Sequence, residues 1–409
     1  MAHRQSEAVI AGHICLDIIP TFKTSGEIRD ILVPGKLVDV GRAVTATGGS
    51  VSNTGLSLFQ LGVATSLMGK VGDDPFGEII LGLVRQRDPA LVKGMIVAKG
   101  EQSSYTVVLN IPGMDRIFLH CPGANDTFRA ADIDRRHLAG ARLFHFGYPP
   151  LMKRMYEKDG RECAAIFRCA KRAGLTTSLD MAKPDPASAA GQAPWPRILA
   201  AALPYVDIFL PSIDEICYML DRQRHDDLVA RHGAAFQSRI DSDMLREIAD
   251  RLLGLGTAIV AIKLGDQGLY VRTTRDAKRL RRLGACAPSK VEEWLSREIF
   301  TPCFLANLVG TTGSGDATIA GFLAAFLKGM SPLECAVAAV AVGACSVEVA
   351  DATSGVPAWS VVQKRLRAGW KRLPFSLKLK GFNPDAEAVV WYGPGDRATG
   401  KTGATAHAK

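Results

Sequence analysis

With 409 residues, a formal net charge of +9, 47% apolar and 22% charged residues, the chain has the composition of a soluble globular enzyme and room for one large α/β unit or for two to three domains. No run approaches the roughly 18 consecutive apolar residues of a membrane span, and Met1–Glu7 lack a secretory hydrophobic segment, so the expected location is the cytoplasm. Nine scattered cysteines without CxxC spacing argue against a disulfide framework or a zinc site, and the dispersed basic residues, without an RNA-binding aromatic signature or a basic zipper, point away from nucleic acid.

Taken in chain order, Ala8–Ile19 has the length and β-branched content of a strand and carries Asp17 near its end. After a stretch punctuated by Pro34-Gly35, Gly48–Gly62 reads as a glycine turn opening a short helix that Gly62 closes. Val63–Val71 reads as another strand, and Asp74-Pro75 as the cap and first turn of a helix over Phe76–Val84. Tyr105–Ile111 and Arg116–His120 are strand-like and flank the turn Pro112-Gly113-Met114-Asp115. With Ile31–Val44 they predict a small separate sheet, built from about 20–47 and 103–122 and placed to act as a lid. Leu143–Gly147, Thr176–Met181, Val206–Leu210 and Ala258–Leu264 then read as strands, with helical segments at Ala164–Ala173 and Leu245–Leu255. That alternation predicts a mostly parallel sheet covered on both faces. Pro184–Pro196 reads as a loop, 221–244 as a charged surface excursion, and 385–409 as an unstructured tail behind a catalytic unit spanning 1–384.

The most informative motif is Val309-Gly310-Thr311-Thr312-Gly313-Ser314-Gly315-Asp316-Ala317, which runs straight into the apolar helical stretch Thr318–Leu327. Glycines at a helix N-terminus let the backbone approach a ligand, and the free N–H groups attract anions. No Gly-Lys-Ser/Thr follows, so this is not a Walker A loop, and the glycine spacing does not fit the dinucleotide fingerprint. Asp316 beside an anion site repels phosphate unless it has work there, and taking a proton from an attacking hydroxyl is such work. A second glycine cluster, Gly48-Gly49-Ser50-Val51-Ser52-Asn53, also opens a helix; its close backbone approach and the Asn53 amide suit a polyhydroxylated ligand.

These residues resemble the ribokinase-like PfkB family of carbohydrate kinases, over about Ala8–Trp359. Gly48-Gly49 with Asn53 and Leu61-Gly62, continued by Gly69-Lys70-Val71-Gly72-Asp73-Asp74 and Phe76-Gly77, is similar to the family's N-terminal signature. Thr312-Gly313-Ser314-Gly315-Asp316 with Gly321-Phe322 is similar to its C-terminal one. The resemblance implies a three-layer α/β/α sandwich with a mostly parallel central sheet and a small β lid. It also implies transfer of the ATP γ-phosphoryl group to a sugar or nucleoside hydroxyl, with Mg2+. It assigns Asp316 as base, the N–H groups of Gly313, Ser314 and Gly315 as anion hole, and Asp17, Gly48, Gly49, Asn53 and Asn125 as substrate contacts. Gly265, Gly268 and Thr311 would flank the nucleotide.

Three departures from the family pattern bear on function. Gly310 stands where related kinases carry an Asp that helps to hold a monovalent cation, which argues against potassium activation. Ser212-Ile213-Asp214-Glu215 replaces Asn-x-x-Glu, and Glu215 can serve both a capping box and second-shell water on magnesium. Ser50 stands where ribokinases often carry Lys, so ribose itself is not indicated. A nucleoside acceptor, with Phe118, Phe128 or Tyr148 for stacking, and a silent sugar-binding regulator of the same fold are the alternatives. His120, Arg116, Lys36 and His145 are the candidate contacts for a sugar phosphate. Exposed lid strands make a homodimer through the lid an expectation as well.

Overall fold

The computed structural model describes residues 6–22, 28–113, 116–385 and 387–396; Met114 and Asp115 of the expected turn, and 397–409 of the expected tail, lie outside them. In chain order the strands are β1 (Ala8–Gly12), β2 (Cys15–Pro20), β3 (Ala43–Gly48), β4 (Thr65–Met68), β5 (Lys70–Gly72), β6 (Ile96–Ala98), β7 (Tyr105–Leu109) and β8 (Ile117–Cys121). They continue as β9 (Leu143–Gly147), β10 (Thr176–Leu179), β11 (Ile208–Phe209), β12 (Ile259–Lys263), β13 (Leu269–Thr273), β14 (Glu298–Thr301), β15 (Asn383–Asp385) and β16 (Val390–Tyr392).

Ten of these strands form the central sheet in the order β15-β16-β14-β13-β12-β11-β10-β9-β1-β4. From β4 to β12 neighbouring strands run parallel; β12 to β15 are antiparallel. Alternate residues feed two separate cores. Ala8, Ile10, Ile259, Ala261 and Ile299 pack on one face with Phe322 and Leu323. Val9, Ala11, Val260, Ile262 and Phe300 pack on the other with Phe167, Leu199 and Leu245. A sheet apolar on both sides must be covered on both sides, and this period-two division produces the expected three layers.

The lid is a separate four-stranded sheet, β3-β2-β7-β8. The single strand expected over Ala8–Ile19 breaks at His13-Ile14, so β1 belongs to the core sheet and β2 to the lid. Gly12 has φ +123 at the break, and its Cβ would overlap Gly147 of β9. Asp17 thereby lies on the lid rather than at the end of a core strand. Ile31–Val44, expected to supply lid structure, contributes Ala43 and Val44 to β3, and Ile31 and Val38 to the apolar cluster around Leu109 and Ile111.

Two stretches carry more structure than their composition suggests. In 221–244, helix Arg222–His232 and the 3-10 turn Gly233–Arg239 bury His225 and Phe236. At the C-terminus β16 pairs with β14, Trp391 packs against Phe300 and Phe375, and the buried Asp396 carboxylate accepts from Arg297 Nε (3.0 Å) and the Glu298 N–H (2.7 Å). A boundary at 385 therefore falls inside a paired strand. The stretch is rich in glycine and alanine, but one Val-Trp-Tyr triplet and one carboxylate suffice to dock it. Breaking a buried ion pair alone costs about 3–5 kcal/mol, so cutting the chain after Pro384 is expected to lower the thermal midpoint by at least about 5 °C. An unchanged midpoint by calorimetry would show that β16 and Asp396 contribute nothing.

Candidate active site

The parallel strands all point their carboxyl ends the same way, and the residues just beyond those ends converge. His13 follows β1, Tyr148 follows β9, Asp180 follows β10, Ser212 lies just after β11, and Lys263 ends β12. The chain reverses its direction of strand addition at β1, which is where open α/β sheets bind ligands. Two helix N-termini meet there: Ser50–Gln60, entered through Gly49, and Ser314–Leu327, entered through Gly313.

Asp316 lies in the first turn of the second helix and is 3% exposed. Its Oδ2 accepts from Tyr148 Oη (2.7 Å) and Asn53 Nδ2 (3.1 Å), and its Oδ1 from Thr54 Oγ1 (3.0 Å). Three donors from two distant segments thus orient one carboxylate. Tyr148 reaches it from a left-handed backbone (φ 63, ψ 44), a conformation that costs a non-glycine residue of order 1–3 kcal/mol. Burial first, and then the Asp316 charge, hold the Tyr148 hydroxyl well above its ordinary pKa, so it remains a donor. Gly313, at φ +71, is required because a Cβ there would strike Ala352.

Gly313, Gly315 and Asp316 border a cavity of about 360 Å³ that extends past Tyr148, Asp180, Glu215 and Lys263 to Gly265 and Gln237. Lys263 Nζ donates to Asp180 Oδ1 at 2.7 Å. Burial alone would lower the lysine pKa, but Asp180, Glu215 and Asp316 hold it above the ordinary value. Ser212 and Glu215 form the expected capping box: Glu215 Oε2 accepts from the Ser212 N–H (2.6 Å) and Ser212 Oγ from the Glu215 N–H (3.2 Å). Glu215 is still a wall of the cavity, and burial raises its pKa.

On the other side of the Gly310–Gly313 loop, Thr312 borders a cleft of about 610 Å³ beneath the lid. Asp17, Ile19, Val44, Val108 and Phe118 of the lid line it, opposite Leu56, Leu83 and Arg87. Asp17 packs so closely on Gly48 that a Cβ there would overlap its carboxylate. Burial pushes Asp17 up to about 6, opposed by hydrogen bonds from Cys15 and Thr106. His13 and His120 face one another across the hinge with Nε2···Nε2 3.3 Å, and His120 Nδ1 pairs with Thr106 Oγ1 (3.0 Å). Burial lowers both imidazole pKa values.

Several expected residues are placed otherwise. Asn125 is wholly buried, with Oδ1 accepting from the Ile14 N–H (3.2 Å) and Nδ2 donating to the carbonyls of Ile14 (2.9 Å) and Pro122 (3.0 Å). It fastens the lid to the hinge and spends both amide hydrogens there, leaving one lone pair on Oδ1. Gly268 is taken up by packing on Thr301, whereas Gly265 borders the cavity. Thr311 is exposed and accepts from Arg116 Nη2 of the lid at 3.5 Å. His145, a candidate phosphate contact, is buried between Ser50 and Ser178, and Phe128 is a core residue. Phe118 does face the cleft. Sequence reasoning missed Thr54, Asp180, Lys263 and Gln237. Asp180 and Lys263 share a position at the carboxyl end of a strand and Thr54 lies in a glycine-opened helix, whereas Gln237 carries no local signal.

The profile of the pfkB family carbohydrate kinases matches residues 6–359. The chain belongs to that family. As a pfkB carbohydrate kinase it is a phosphotransferase with an alcohol acceptor. It is 26% identical over 302 residues to an uncharacterized sugar kinase of Archaeoglobus fulgidus, covering 74% of this chain and 98% of that one. It is 25% identical over 289 residues to fructokinase-2 of Zea mays, covering 70% and 73%. The structure of Arabidopsis thaliana ribokinase complexed with ribose and ATP superposes with a TM-score of 0.66 at 19% identity, covering 89% of this chain and 99% of that one. Among the described residues no helix is long and apolar enough to cross a membrane.

Asp17 supplies a direct check on the lid side of this site. An unfolded aspartate titrates near about 3.9, whereas folded Asp17 titrates near about 6. The folded chain therefore carries a desolvated charge above that range which the unfolded chain solvates freely. Asp17→Asn is expected to gain stability over the parent progressively from about pH 4 to pH 6 and to hold that gain above it. Melting curves of both proteins across this range test it; a difference that does not vary with pH contradicts burial of the Asp17 charge.

Proposed function

We propose that the chain transfers the γ-phosphoryl group of ATP to a hydroxyl of a small sugar or sugar acid, with Asp316 as general base. The observation that carries this reading is the placement of the Asp316 carboxylate. It is held by Asn53, Thr54 and Tyr148 in the first helical turn that Gly313, Ser314 and Gly315 open. The acceptor lies between Asp17, Gly48-Gly49 and Asn53, with its reactive hydroxyl toward Asp316. Asp316 takes the proton as the oxygen attacks, and the N–H groups at the helix start meet the charge spread over the transferring oxygens. The nucleotide occupies the cavity that runs to Gly265. Catalysis is then chiefly positioning and preorganised electrostatics.

Magnesium fits this cavity as part of the nucleotide substrate. Glu215 and Asp180 each spend only one carboxylate oxygen on the hydrogen bonds described, and both face the space where phosphates would lie. Among the described residues no three His, Cys, Asp or Glu side chains form a cage, so these carboxylates would hold waters of an ion carried in on the phosphates. That ion would neutralise charge between the β- and γ-phosphates. We take the cytoplasm as the site of this reaction, and a dimer through the lid edges β3 and β8 is compatible with the open strands there.

One observation favours a second acceptor class. Phe118 and Val44 are 56% and 54% exposed within the apolar wall of the lid cleft. A flat apolar group, such as a nucleobase, would cover them. ADP release with ATP and magnesium across sugars, sugar acids and nucleosides separates the two: saturable turnover with sugars or sugar acids is expected. Turnover with nucleosides alone moves the acceptor to the second class, and absence of turnover while ATP and a sugar still bind contradicts kinase action.

A further inference from the structure

Lys263 occupies an electrostatically odd position. Its ammonium lies at the start of helix Ser314–Leu327: a Cβ built on Gly315 would sit 3.6 Å from Nζ. The positive end of a helix dipole disfavours a cation. The side chain is also nearly out of water, 12% exposed, and its partner Asp180 is 1% exposed. A buried ion pair of this kind adds little stability compared with apolar packing of the same volume. A purely structural pair has no need to form a wall of the cavity that Gly313, Gly315 and Asp316 also line, yet this one does. Of the three donors on Nζ, one goes to Asp180 and, among the described residues, two are left.

Resting on the kinase reading above, we infer that Lys263 is a further catalytic residue: it holds a non-bridging oxygen of the γ-phosphoryl group, and Asp180 is the residue that positions it. The acceptor oxygen forms the new O–P bond, the bond from the γ-phosphorus to the β–γ bridging oxygen breaks, the acceptor proton goes to Asp316, and ADP leaves with the bond's electron pair. Lys263 gives up no proton. Its charge, kept on by the surrounding carboxylates, matches charge on the phosphoryl oxygens in the cavity that Asp316 also lines, and in a dry cavity such a contact is stronger than in water. The same contact explains why a cation stands at the helix start: with a phosphoryl group in place, the N–H groups and the ammonium share one anion. Asp180 keeps the long side chain on target when the cavity is empty.

Calorimetric binding of Mg·ATP and Mg·ADP separates this role from a structural one, because ADP lacks the group that Lys263 is inferred to touch. Lys263→Met is expected to weaken ATP by about 10- to 100-fold while ADP stays within about twofold. Turnover should fall by about 100- to 1,000-fold, with the acceptor KM within about threefold. Asp180→Asn should lower turnover less than Lys263→Met, since the ammonium remains. If Lys263→Met does not fold because Asp180 is left unpaired, the double variant Lys263→Met/Asp180→Asn carries no buried lone charge and should show the same selective loss of ATP. Equal weakening of ATP and ADP, or retention of both the affinity ratio and turnover, overturns the inference. A parent protein that binds neither nucleotide removes the kinase reading itself, a result distinct from either.

Discussion

Asp316 sits in the first turn of a nearly all-apolar helix at 3% exposure, and a carboxylate taken that far from water needs donors. Asn53 and Thr54 come from the helix after the lid's strand β3, and Tyr148 from the end of β9. Each hydrogen bond to a charged group contributes about 1.5–3 kcal/mol, enough in sum to hold Tyr148 in its left-handed backbone. Satisfying one acid therefore fixes how two helices and a core strand meet. It also leaves the carboxylate in the wall of the cavity that Lys263 and Glu215 line.

The lid depends on the same region from the other side. The break at His13 sends the chain from the core sheet into the lid, and Asn125 ties the returning chain to Ile14. The His13–His120 contact and the Arg116–Thr311 contact then bridge lid and body on either side of the cleft. In the proposed reaction, a cover anchored at its hinge and touching Thr311 would close over the acceptor and exclude water, which limits loss of the phosphoryl group to hydrolysis.

Much of this was legible in the sequence where local physics decides. The Gly313–Gly315 helix start, the Ser212–Glu215 capping box and the apolar parallel strands rest on short-range rules, and all three recur in the structure. Asp180 and Lys263 were not legible as a pair, since 83 residues separate them and only the parallel register of β10, β11 and β12 brings them together. The hinge role of Asn125 was not legible, because nothing local distinguishes an amide that ties a hinge from one that only faces a ligand. The break of β1 from β2 was hidden inside a continuous apolar run. The last strand, β16, was hidden by a low-complexity neighbourhood.

The proposed transfer needs Asp316 as a proton acceptor rather than as a structural cap, and Asp316→Asn separates the two roles. The amide keeps an oxygen for Tyr148 and Asn53, and Thr54 can turn to accept from its nitrogen, so the local fold should survive. With an acceptor identified by turnover, the account predicts that kcat falls by about 100- to 10,000-fold while calorimetric affinities for acceptor and Mg·ATP stay within about threefold. A variant that binds both and retains a third or more of its turnover would contradict it.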